Sequence, residues 1–231
     1  MYTIKDKNYL SLLETDNKDT FEFIVNLLNE YKSDVQKGCH DIRNILALIV
    51  GNAGLLELNH KDLENDIRWK QLKEDLNYLN VLMNAINKVR YAHVIHKTEF
   101  NYPELLNGII SSYTLSVDTL IEPDVSMINA DKSGMEYILR ALLDNIYECD
   151  KTTRVTIRIY IKNDKIYTSV ADNLPAIDDD TRIKLFHLFN TTKQIHSGLS
   201  LATASIITMA HDGEISYSFD NGNVFTFYFK R

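Results

Sequence analysis

The chain has 231 residues, 45% of them apolar and 25% charged, with a formal net charge of −7. That is the balance of a globular protein with one large or two modest domains, and it excludes wholesale disorder. An acidic surface repels phosphate backbones, so no nucleic-acid partner is expected. Three prolines and eight glycines point to long uninterrupted elements. Cys39 and Cys149 are the two cysteines; they cannot make a disulfide framework, and their spacing matches no zinc pattern. Residues 1–15 lack the apolar core of a cleavable signal. The longest apolar stretch, Ile45–Leu58, is about 14 residues, too short and too polar to cross a bilayer. A cytoplasmic protein without membrane insertion is the expectation.

Taken in chain order, residues 1–18 are a polar lead-in without periodicity. From Phe21 apolar side chains recur in steps of three and four, through Val35, Ile42, Ile45 and Ile49 to Leu56, with one gap at Gly38. This is the seam of a helical bundle. The helix would be about 57 Å long. Asn59-His60-Lys61-Asp62 interrupts it, and a second helical run follows through Leu72, Leu76, Leu79, Met83 and Ile86. Two long helices across a short polar break make an antiparallel hairpin. Its apolar stripe is wider than one hairpin covers, so two copies should close a four-helix bundle through residues 20–95 as a homodimer.

Beyond residue 97 the pattern changes. Ser133-Gly134-Met135-Glu136 has the form of a capping box and opens a helix to about Cys149. Val155, Ile157, Ile159 and Ile161 alternate as a half-buried strand does, and Asn163-Asp164 turns the chain into a second strand, Lys165–Ala171. Asp179–Leu188 and Leu199–His211 read as helices. Glu214–Phe219 and Val224–Phe229 form a hairpin across Asp220-Asn221-Gly222. The fold class is α+β: residues 19–97 a helical hairpin, residues 98–231 a sandwich of helices on antiparallel strands.

His40 lies two residues before Ile42, about 200° around the helix, and points to solvent. Asp41 is beside it and Asn44 is one turn on. An exposed imidazole with a neighbouring carboxylate has the parts for nucleophilic phosphotransfer: one ring nitrogen gives its proton to the carboxylate while the other attacks phosphorus. Asn44 and Arg43 would steady the phosphoryl oxygens. The order of further motifs gives this pair its weight.

His40-Asp41-Ile42-Arg43-Asn44 resembles the phosphoacceptor box of bacterial two-component sensor histidine kinases. Leu142-Leu143-Asp144-Asn145-Ile146 is similar to the Asn box of that family's ATP-binding domain, which has the GHKL or Bergerat fold. Ala171-Asp172-Asn173-Leu174-Pro175-Ala176-Ile177, Leu185–Lys193 and Gly198-Leu199-Ser200-Leu201-Ala202 resemble, in order, its adenine, Phe and last glycine boxes. The resemblance covers residues 20–231. It implies a phosphoacceptor site of His40, Asp41, Arg43 and Asn44. It implies a vestigial nucleotide site of Asn145, Asp172, Lys193 and Gly198, with Asn145 as magnesium ligand if Mg-ATP binds. Departures are Ala141, where the family opens the Asn box with Asn, and Leu174, Ala176, His196 and Ser200, where it has glycine. Lost glycines close off backbone approach to phosphates. The expectation is therefore a histidine phosphotransfer protein without a cofactor, passing phosphoryl groups between His40 and a receiver-domain aspartate of a response regulator. The alternatives are a soluble histidine kinase that phosphorylates His40 from Mg-ATP, and a non-catalytic module that sequesters a response regulator.

Overall fold

The computed structural model describes residues 18–191 and 197–231. The chain divides into two compact units, one ending at Asn84 and the other spanning Ala85–Arg231. Most of the N-terminal lead-in lies outside the described residues, as do Lys193 and His196.

Helix α1, Lys18–Asn59, is a single helix of 42 residues. A 3-10 turn, Lys61–Asn65, leads to α2, Ile67–Tyr91. Asp66 caps α2: its Oδ1 accepts the backbone N–H of Arg68 at 2.8 Å and of Trp69 at 3.0 Å, satisfying two of the donors that a helix start leaves open. The helices run antiparallel as expected. Lys73 on α2 reaches Glu57 on α1 at 2.8 Å, and Trp69 Nε1 donates to the same carboxylate at 3.3 Å. Leu46, Leu76 and Met83 are buried along the hairpin.

The α1 face that packs within the chain is not the expected seam. Near the start of α1 Thr20, Phe21, Ile24 and Val25 are half-buried; from residue 33 onward Cys39, Arg43, Leu46, Ala53 and Glu57 are the buried and half-buried positions, whereas Ile42, Ile45 and Ile49 remain 54%, 58% and 46% exposed. The two stripes lie about 80° apart around the helix. The apolar surface is wider than α2 can cover, and α2 takes its edge.

The second unit is built on a five-stranded sheet in the order β2-β4-β5-β7-β6, where β2 is Ser116–Ile121, β4 Arg154–Lys162, β5 Lys165–Ala171, β6 Glu214–Phe219 and β7 Asn223–Lys230. β2 pairs parallel with β4, so the sheet is mixed rather than antiparallel throughout. A two-stranded ribbon pairs β1, Thr98–Asn101, with β3, Met127–Ala130. Helices α3, Tyr102–Ile110, α4, Lys132–Cys149, and α6, Ser200–Ala210, complete the layer. The alternation on β4 emerges as expected, with Val155, Ile157 and Ile159 fully buried, and Ile138, Leu139, Leu143 and Phe227 are equally buried in the core. Asn163 and Asp164 have φ of 51° and 58°, the left-handed pair that a two-residue hairpin turn needs.

Two boundaries differ from the sequence reading. The cap of α4 is Asp131, not Ser133: Asp131 Oδ1 accepts from Gly134 N at 2.9 Å and from Ser133 Oγ at 2.6 Å. A carboxylate also suits the positive end of the helix better than a hydroxyl. Helix α5 is Asp179–Ile183 and stops well before Leu188, and Phe189 has φ of 62°, a conformation no helix continues through. Among the described residues no helix is long and apolar enough to cross a membrane.

Candidate functional site

His40 stands on an exposed stretch of α1, its side chain 67% exposed and that of Asp41 61%. Helical spacing places Asn44 one turn away. Both neighbours converge on one ring nitrogen: Nδ1 lies 3.4 Å from Asp41 Oδ1 and 3.2 Å from Asn44 Nδ2. Nε2 makes no hydrogen bond among the described residues. Two tautomers fit these contacts. With Nδ1–H donating to Asp41, Nε2 carries the free lone pair; with Asn44 donating to Nδ1, Nε2 carries the proton. Arg43 is half-buried and makes no hydrogen bond among the described residues.

The residues expected at a nucleotide site lie in the second unit. Asn145 is on α4, and its Nδ2 donates to the Ala141 carbonyl at 2.9 Å. Its amide oxygen is thereby left for another partner. Asp172 follows β5 directly and is buried. Its Oδ1 accepts three donors: Leu174 N at 2.9 Å, Asn223 Nδ2 at 2.9 Å and Asn223 N at 3.2 Å. Oδ2 takes none among the described residues. Gly198 has φ of +62°, and a Cβ there would sit 2.6 Å from the Asn190 carbonyl oxygen. Its glycine is required by its own backbone and by close packing on Asn190. Arg140, a candidate phosphate contact, is held by Glu136 at 2.8 Å and by Ser112 Oγ at 3.1 Å. On the same helix Asp144 accepts the Tyr113 hydroxyl at 2.6 Å; burial first, then this carboxylate, pushes the phenol above its usual range.

Residues 130–231 match the family described as histidine kinase-, DNA gyrase B-, and HSP90-like ATPase. The signal transduction histidine-protein kinase AtoS of Escherichia coli (strain K12) is 25% identical over 196 residues, 76% of this chain and 30% of that protein. The nucleotide-free catalytic domain of histidine kinase ThkA is 26% identical, with a TM-score of 0.53 over 59% of this chain and 96% of that one. ThkA in complex with response regulator protein TrrA is 22% identical, with a TM-score of 0.58 over 96% of this chain and 66% of that one. Full-length ShkA, solved in complex with AMPPNP, shares the fold with a TM-score of 0.70 at 19% identity, over 85% of this chain and 45% of that one. The chain thus spans under a third of AtoS and under half of ShkA. These matches support the sensor histidine kinase family. They do not support the expected phosphotransfer protein without ATP binding; they favour its first alternative, a kinase that uses ATP.

The loops in which glycines are replaced carry no backbone strain at Leu174, Ala176 or Ser200. The loop after Asp172 contains Leu174 and Ala176, yet neither has positive φ. A side chain therefore costs no backbone strain there. Ser200 opens α6 as an ordinary helical residue. The donors present fit Mg-ATP: a carboxylate oxygen to accept an amino group, and the Asn145 amide oxygen for a hard cation. Sequence reasoning missed Asn223 and Tyr217, whose contacts to the Asp172 loop only the pairing of β7 with β5 and β6 brings into view.

Proposed function

We propose that this chain is the catalytic part of a histidine kinase, which phosphorylates His40 from Mg-ATP and passes the group to a receiver-domain aspartate of a response regulator. The observation that carries the proposal is the open Nε2 of His40, with Nδ1 within reach of the Asp41 carboxylate, on the same chain as an ATPase-family domain. Asp41 holds the Nδ1 proton, which leaves the Nε2 lone pair free for in-line attack. A nitrogen–phosphorus bond forms on the γ-phosphorus as the bond to the departing ADP oxygen breaks. Magnesium would offset charge on the phosphate oxygens, with Asn145 as its protein ligand. The receiver carboxylate then attacks the phosphohistidine, and the imidazole leaves with its Nδ1 proton still shared with Asp41. A receiver partner fits the relative ThkA, solved with a response regulator. The working unit is a homodimer through residues 20–95.

The test is incubation with Mg-ATP labelled at the γ-phosphate. Acid-labile, alkali-stable label on His40, lost in His40→Gln, is the expected result. Asp41→Asn should slow labelling by about 10²-fold or more. A protein that binds no nucleotide but takes phosphate onto His40 from a phosphorylated receiver overturns the kinase proposal in favour of phosphotransfer alone.

A further inference from the structure

Asp172 is not free to turn. Its Oδ1 is saturated by three N–H donors, two of them from Asn223. Asn223 is 4% exposed, and every polar atom of its amide has a partner. Nδ2 donates to Asp172 Oδ1 at 2.9 Å and to the Pro175 carbonyl at 3.1 Å, while Oδ1 accepts the Tyr217 hydroxyl at 2.8 Å. The Tyr217 oxygen in turn accepts the Ile177 backbone N–H at 3.3 Å. The amide orientation follows from these partners, two acceptors on one side and one donor on the other. The preceding residue must be glycine, because a Cβ on Gly222 would collide with the Asp172 carbonyl.

We propose that Asn223, oriented by Tyr217, is the positioning residue of the nucleotide site: one amide fixes the Asp172 carboxylate and braces the loop 173–177. This rests on the nucleotide reading given above and adds residues to it. The loop has two glycine positions filled by Leu174 and Ala176, so its shape depends on side-chain bonds rather than on backbone freedom. Asn223 ties it at Pro175, and Tyr217 ties it at Ile177. With Oδ1 consumed, Asp172 offers Oδ2 alone to a ligand, as an acceptor for one N–H donor. A purine with an exocyclic amino group supplies that donor. Purine riboside triphosphate, which has hydrogen at the same ring carbon, does not.

Tyr217→Phe removes the hydroxyl and keeps the ring, whose centroid lies 5.3 Å from that of Phe225, so the variant should fold. Asn223→Ser is the second variant. Binding of Mg-ATP and of Mg-purine riboside triphosphate is measured for the full chain. In Tyr217→Phe the affinity for ATP should fall about three- to ten-fold, the range of one lost hydrogen bond, and the affinity for the analogue should fall less. The preference for ATP over the analogue therefore shrinks. Autophosphorylation should show a raised KM and an unchanged kcat. Equal weakening of both nucleotides in both variants, or none, overturns the positioning role and leaves the kinase proposal standing. Wild-type protein that binds neither nucleotide overturns both.

Discussion

His211 closes α6 with both ring nitrogens engaged: Nδ1 lies 2.8 Å from the Ile207 carbonyl oxygen, and Nε2 accepts the Asp131 backbone N–H at 3.0 Å. That arrangement admits one state, the neutral ring protonated at Nδ1, because a proton on Nε2 would face another donor. Burial pushes its pKa below the ordinary 6.5, and nearby Lys97 does so too; the Ile207 carbonyl, Asp131 and Asp212 pull the other way without prevailing. The unfolded chain therefore takes the proton first. The contribution of His211 to stability is constant above about pH 6.5 and is lost as pH falls towards the folded pKa. Asp131 acts in a separate window. Burial raises its pKa, but hydrogen bonds from Ser133, His96 and Gly134 outweigh that and hold the carboxyl below its usual range. Its contribution is lost only below about pH 3.8. Nitrogen NMR should find His211 titrating below the ordinary 6.5 and its neutral form protonated at Nδ1; a ring that titrates above that value, or is protonated at Nε2, would refute this. Gly198 makes a second residue-scale case. Gly198→Ala forces a side chain into left-handed backbone and against Asn190, and should cost about 1–2 kcal/mol or more, read as a lower melting temperature.

Helix α1 shows what could be read from the chain and what could not. Its length, direction and partner were visible in steps of three and four, because a long amphipathic repeat is the strongest local signal. Which stripe meets α2 was not, because Leu46 and Ile42 are both apolar and only packing chooses between them. In the second unit the strands of the hairpins and helices α4 and α6 were legible, and Asp172 and Asn145 could be named as candidates. Residues 98–131 were not, because β1, α3, β2 and β3 are four to nine residues long and too short to show a period. The clamp on Asp172 was invisible for a related reason: Asn223 and Tyr217 are far from it along the chain, and β-pairing alone brings them there. Gly38 offers a test at this scale. It read as a gap in the seam, but the helix passes through it unbroken, and a Cβ there would meet nothing within 4 Å. Gly38→Ala should therefore stabilise α1 by about 1 kcal/mol, seen as a higher thermal midpoint by circular dichroism. No gain would mean that the helix needs its flexibility at that point.

For the molecule as a whole, the exposed stripe of α1 is where a second copy would seat in the proposed dimer. Ile42, Ile45 and Ile49 lie on one side of the helix and stay about half exposed, joined further along by Leu56 at 48%. His40 lies on the opposite side of α1, so a second hairpin seated on the stripe would leave the imidazole open. Full burial of one such side chain contributes about 1.5–3 kcal/mol, and each is used twice in a symmetric pair. Ile45→Glu with Ile49→Glu removes that gain and places four carboxylates in the interface. Since about 1.4 kcal/mol is a tenfold change, the dimer dissociation constant should rise by more than about 100-fold. Sedimentation equilibrium should find two chains for the wild type and one for the variant. ATP binding provides the control. Asn145 and Asp172 belong to the other compact unit, so the variant should bind nucleotide as the wild type does. A variant that remains dimeric would move the interface off this stripe, and one that loses nucleotide binding as well would show that the two units do not fold independently.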